Sequence, residues 1–269
     1  MVREERSSGP ADCGKVRRAF GPQPGFGAIA RVLHSEASRG GLNVAGGNLK
    51  CYEREETRMY QPIAFREERL EVLHALIRAH PLATLITAGR NGLIANLVPF
   101  ILAETLADTG GKGTLRAHIA KANDQVNALE AGDETLVVFH GPEAYITPSW
   151  YASKKKHGRV VPTWNYVVVQ VRGTPRVIDD AAWIRAQIGA LTATQESHRS
   201  EPWSVSDAPE PFIEGQIRAI IGIEIPIASI EGKWKLSQNR SAEDRQGVYE
   251  GLEAEGISEE MARLVAERK

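Results

Sequence analysis

From residue 59 onward, apolar and polar positions fall into short runs separated by turn residues. Residues 66–80 carry Leu70, Leu73, Leu76 and Ile77 at helical spacing and end at Pro81, which predicts one amphipathic helix. Strand signals then follow closely. Residues 82–87 are short and rich in Thr and Leu, Gly89-Arg-Asn-Gly92 supplies turn chemistry, and residues 93–102 form the next apolar run. Further strands are expected at 114–119, 134–140, 143–148, 162–172 and 220–227, with Val167-Val-Val-Gln-Val171 the clearest core. Helices are expected at 125–131 and at 179–194, the latter with Trp183, Ile184, Ile188 and Leu191 facing inward. An exposed, charged helix over 258–269 ends the chain. Six or seven short strands with few crossover helices exclude a doubly wound parallel sheet and predict a mostly β domain, a largely antiparallel barrel with peripheral helices.

Residues 1–58 break this pattern. They are glycine-rich, hold both cysteines, and carry ten Lys/Arg against seven Asp/Glu; residues 59–269 carry 23 against 27. Scattered apolar residues cannot offset the ordering entropy of such a segment, so a disordered extension is expected there, with one domain over 59–269. The overall charge of −1 argues against a broadly basic nucleic-acid binder, and the mildly basic extension gives only weak support for a nucleic-acid tail. Two cysteines build no disulfide framework, and no apolar run reaches a membrane-spanning length. A cytoplasmic protein without membrane contact is expected.

Several familiar signatures fail on inspection. Gly110-Gly-Lys-Gly-Thr114 has the wrong spacing for a phosphate loop and runs into a strand, so a hairpin turn is expected. No tight metal-ligand spacing and no nucleophile elbow occur. A helix-turn-helix has no obvious place, because each long helical pattern is flanked by strands or loops.

Three stretches carry more polar chemistry than a core needs. His118, Lys121, Asn123 and Gln125 lie where a strand runs into a helix, a place suited to an anionic phosphate or to an ordinary polar connection capped by Asn123. Tyr145-Ile-Thr-Pro-Ser-Trp-Tyr151 and Val160-Val-Pro-Thr-Trp-Asn-Tyr166 bracket a loop with Lys154, Lys155, Lys156, His157 and Arg159. Aromatic faces there can stack on a planar ring while cations meet phosphate. Residues 232–240 alternate poorly for a strand; Lys235, Gln238, Asn239 and Arg240 make a donor-rich loop able to close over an anion. No acid/base pair stands out, and the catalytic residues are unknown.

Together with Met59-Tyr-Gln-Pro62, these motifs resemble the PaiB-type family of FMN-binding negative transcriptional regulators. The resemblance runs from Met59 to about Tyr249 and leaves residues 1–58 outside. It implies an FMN-binding split β-barrel, a homodimer with FMN near the subunit interface, and DNA as a partner. It also implies that Lys121 and Asn123, then His118 and Gln125, hold the FMN phosphate. Thr84, Thr87 and Asn96 would line the isoalloxazine or ribityl chain, and Trp164 and Asn165, from the partner subunit, would complete the pocket. A flavin-dependent oxidoreductase, or a haem-handling split barrel using His118, His140 or His157, is the alternative; the fold alone selects neither.

Overall fold

The computed structural model describes residues 59–103 and 111–268. The expected disordered extension and Gly110, the first residue of the expected turn, lie outside the described residues.

Among the described residues, ten strands form two antiparallel sheets. Strands β1 (Arg66–Glu67), β2 (Leu82–Gly89), β3 (Gly92–Pro99), β6 (Thr135–Ile146), β7 (Thr163–Gly173) and β10 (Ser229–Lys235) make a six-stranded sheet ordered β1-β10-β7-β6-β2-β3. The smaller sheet is ordered β4-β5-β9-β8, from Ile101–Ala103, Thr114–Ala120, Ile220–Pro226 and Arg176–Ile178. The two sheets are the halves of a split β-barrel, largely antiparallel as expected. Their inner faces meet in one core holding Leu85, Phe100, Leu115, Phe139, Val169 and Ile223, all nearly free of solvent contact.

Helix α1 (Leu70–Ala79) buries Leu73, Leu76 and Ile77 in that core. It is shorter than expected because Glu67 and its neighbour instead pair with β10, Arg66 opposite Lys233. The expected strands at 134–140 and 143–148 are one strand, β6, bent by a register shift between His140 and Glu143. Gly141 sits at that bend, where a Cβ would come within 3.0 Å of Val167 and closer still to Leu76. Helix α2 (Gln125–Glu130) and helix α4 (Ala181–Glu196) lie near their expected positions. Trp183, Ile184 and Ile188 of α4 form a satellite cluster with Ile213 and Ile217 of α5 (Glu210–Arg218).

Three expectations are corrected. Residues 229–235 are a true strand: Ile230, Gly232 and Trp234 turn inward, and the Lys and Glu residues between them face outward. The cationic loop at 154–157 is a short helix, α3 (Ala152–His157), packed on α6 (Ala242–Glu255), where Lys156 pairs with Glu243. The last helix, α7 (Glu259–Glu267), buries Met261, Ala262 and Val265 in the main core. Helices α6 and α7 are joined by a short turn at Gly256, whose φ of 62° suits glycine. So a helix-turn-helix outline does exist here. Its helices carry eight acidic residues and two arginines.

Candidate functional site

The strand-to-helix segment forms a tight turn. Asn123 N–H donates to the Ala120 carbonyl at 3.0 Å, and Asn123 Oδ1 accepts from Gln125 N–H at 2.9 Å. This Asx turn closes the connection between β5 and α2. Lys121 reaches outward and pairs with Asp179 at 2.6 Å. Both partners are substantially exposed, so the pair is weak and exchangeable for another anion. Helix α2 spans only six residues, so the cationic side chain rather than a helix dipole is the anion-attracting element here.

Gln125 differs from the expectation of a ligand contact. Its side chain has no exposed surface, its Nε2 donates to the Leu85 carbonyl at 3.1 Å and to Thr87 Oγ1 at 3.2 Å, and its Oε1 accepts from Asn96 Nδ2 at 2.9 Å. Four of the nine candidate residues, Thr87, Asn96, Asn123 and Gln125, are therefore linked into one network that fastens the turn to β2 and β3.

His118 lies on the same strand as the turn. Its Nδ1 meets Gln187 Oε1 at 2.6 Å, and Gln187 is buried within α4. An amide oxygen only accepts, so His118 Nδ1 is the donor in this contact. Gln187 escaped the sequence reading, although a glutamine inside the stripe of Trp183, Ile184 and Ile188 was its signal.

Strand period places Thr84 and Thr87 on opposite faces of β2. Thr87 faces inward to Gln125, whereas Thr84 faces outward, its Oγ1 3.4 Å from His140 Nε2. The same outer face carries Ile86, and β3 adds Leu93 and Leu97 opposite Ala88 and Thr84. Leu93 is 79% exposed and Leu97 65% exposed, on a strand at the sheet edge.

Trp164 and Asn165 are not beside the Lys121 turn network. Trp164 is half-exposed on the outer face of β7 and meets Tyr145 edge-on, ring centroids 5.8 Å apart. Asn165 points the other way; it is buried, its Oδ1 accepts from Ser237 Oγ at 3.1 Å, and its Nδ2 has no partner among the described residues. Ser237 holds a φ of 64°, a left-handed conformation unusual for a non-glycine residue. Gln238 is used within its own loop, accepting from Leu236 N–H at 2.6 Å and donating to the Trp234 carbonyl at 2.5 Å.

Lys235 donates to Thr163 Oγ1 at 2.5 Å and to the Trp164 carbonyl. Burial pushes its ammonium below the usual lysine range, and the charges of Lys233 and Arg240 act in the same direction. Among the described residues, no group of three or more His, Cys, Asp or Glu is poised to hold a metal. Nor is any helix there long and apolar enough to cross a membrane.

Residues 59–229 match the family described as "Putative FMN-binding domain". The chain belongs to this PaiB-type FMN-binding family. An uncharacterized protein of Emericella nidulans is 36% identical over 244 residues, covering 78% of this chain and 97% of its own. The PaiB-type relative from Bacillus subtilis, the protease synthase and sporulation protein PAI 2, is 28% identical over 212 residues, covering 78% of this chain and 98% of its own. A solved FAD and haem binding protein from Mycobacterium smegmatis is 17% identical, with a TM-score of 0.46, covering 63% of this chain and 73% of that one.

Proposed function

We propose that the protein is an FMN-binding homodimer with a regulatory role. The observation that carries the flavin assignment is the β5–α2 turn. There Lys121 offers a cation engaged only by an exposed carboxylate, and a buried network fixes the turn that bears it. This donor set fits a phosphate ester. Lys121, His118 and Asn123 would hold the FMN phosphate, with Gln125, Thr87 and Asn96 supporting them from beneath. Thr84, with Trp164 of the partner subunit, would border the ring, whereas the buried Asn165 braces the Ser237 loop behind it. A flavin bound there supplies its own redox chemistry, and the chain's task is to hold and orient it. The outward Leu82, Leu93 and Leu97, unpartnered in a single chain, support a second copy as the partner for that face.

FMN should raise the melting temperature of the protein, and Lys121→Ala should weaken FMN more than riboflavin. Equal losses for both ligands would remove Lys121 from the phosphate. The repressor role rests on the resemblance of the sequence motifs to PaiB-type regulators. A mobility shift at several salt concentrations tests it, with binding that weakens steeply as salt rises.

One observation favours a second reading, a flavin-dependent oxidoreductase in a cytoplasmic setting. The consecutive helices α6 and α7 carry an excess of acidic residues, which repels phosphate backbones. Oxidation of NAD(P)H by the FMN-loaded protein, with no DNA shift, would select this reading.

A further inference from the structure

Gln187 lies outside the motifs that carry the family resemblance, yet its buried amide meets His118, which belongs to one of them. Alternation along β5 sends Leu115, Ala117 and Ile119 into the core and leaves Arg116 and His118 on the opposite face, under α4. His118 stands across the ladder from Gly222. That glycine leaves room for the Trp183 ring, which a Cβ there would meet at 2.3 Å. Gln187 follows Trp183 by one turn on the same face of α4, so seating the indole on Gly222 brings the amide to His118.

The amide oxygen accepts, so the ring's Nδ1 keeps its proton toward Gln187. Among the described residues Nε2 has no hydrogen-bond partner, and it keeps contact with solvent. A neutral ring with its one proton on Nδ1 presents a lone pair at Nε2, whereas a phosphate oxygen needs a donor there. His118 can therefore meet a phosphate through Nε2 only by taking up a second proton. Among the described residues, no carboxylate lies within ion-pair distance of His118 to neutralise that charge. The charged groups on the surrounding elements are engaged with one another. Arg116 pairs with Glu224 of β9 at 3.1 Å, and Arg176 of β8 stands across the ladder from that glutamate. Lys121 pairs with Asp179 at 2.6 Å, and Arg185 of α4 pairs with Glu210. A bound phosphate would be the first anion to compensate the imidazolium, so phosphate and proton favour each other's binding.

We propose that Gln187 is a positioning residue that makes FMN binding proton-linked. By holding the Nδ1 proton it reserves Nε2 for the phosphate and lets that atom donate only from the cationic ring. His118 meets the phosphate in the flavin reading above, on which this proposal rests. Riboflavin lacks the phosphate and binds without the proton. The preference for FMN over riboflavin should fall roughly tenfold between about pH 6.5 and about pH 8.5, as histidine loses its charge.

Calorimetric titration of FMN and riboflavin into the full chain at about pH 7.5, in buffers of different ionisation enthalpy, counts the protons taken up. FMN should take up a fraction of a proton approaching one, and riboflavin none. Nitrogen-15 spectra of the histidine rings should show His118 protonated on Nδ1 alone in the free protein and on both nitrogens with FMN. Gln187→Leu frees the ring to carry its single proton on Nε2, so proton uptake should vanish while FMN still binds. Gln187→Glu keeps the acceptor and adds a counter-charge, and should hold the preference for FMN to higher pH than the wild type. FMN binding by the wild type without proton uptake, or with a neutral His118 protonated on Nε2, would overturn the proposal and leave the flavin reading standing. Unchanged uptake in Gln187→Leu would overturn it as well. Failure of the wild type to bind FMN at any of these pH values would remove the flavin reading, and this proposal with it.

Discussion

Single side chains decide how the termini of the domain are tied together. Glu67 is buried and accepts from Arg69 N–H at 3.0 Å, Arg69 Nε at 2.9 Å and Arg69 Nη2 at 2.8 Å, with the Arg268 guanidinium as a further donor. The hydrogen bonds from Arg69 lead in holding its carboxyl at about 2 against an ordinary 4.5, with Arg268 assisting and burial opposing. A depressed folded-state value gives stability that is full above the unfolded value and is lost as pH falls toward 2. Glu67→Gln should therefore lower unfolding free energy by about 2 kcal/mol near pH 7, a figure discounted for the exposure of Arg69. Chemical denaturation at pH 7 and at pH 2–3 checks this, since the difference from wild type should shrink at acid pH. Gln125→Leu should cost roughly 2–3 kcal/mol, because Asn96 and Thr87 lose their buried partner. Its effect on FMN affinity should accompany a melting shift that appears without FMN. Gln125 was visible in the sequence as a polar residue beside Lys121, but sequence alone does not separate a ligand contact from a buried brace. That distinction depends on β2 and β3 packing over it.

Helix α6 shows where element patterns mislead. Its stripe contains Gly247 and Gly251 because Trp150 packs against it: a Cβ on Gly251 would lie 2.3 Å from the Trp150 ring, and one on Gly247 2.0 Å from its carbonyl oxygen. Alanine would gain about 1 kcal/mol of helix propensity but overpack the contact, a cost of typically 1–3 kcal/mol. Gly251→Ala is therefore expected to lower the melting temperature, which a thermal scan measures. The same small residues hid α6 from a search for apolar periodicity. Strand β10 was hidden differently, because Gly232 interrupts an otherwise regular inward series of Ile230 and Trp234. In α7 the charges of Glu259, Glu260, Arg263 and Glu267 masked the buried Met261 and Val265. By contrast, β7 and α1 were legible because their apolar residues recur at strand and helix spacing without small-residue gaps.

At the scale of the molecule, the strand-rich pattern and the five motifs led to the split barrel and its family. What the chain could not disclose is which motifs meet. Lys121 and Trp164 belong to different neighbourhoods of one protomer, and the proposed dimer is what would bring their faces to one ligand. Leu97→Lys, on the exposed edge, should convert dimer to monomer in sedimentation and weaken FMN along with it. The most direct test of the flavin assignment is equilibrium titration of FMN into the purified full chain, followed by flavin absorbance and calorimetry. One FMN per chain is expected, with Lys121→Ala reducing FMN affinity more than riboflavin affinity. Absence of FMN uptake by the wild-type protein, with no rise in its melting temperature, would contradict the account.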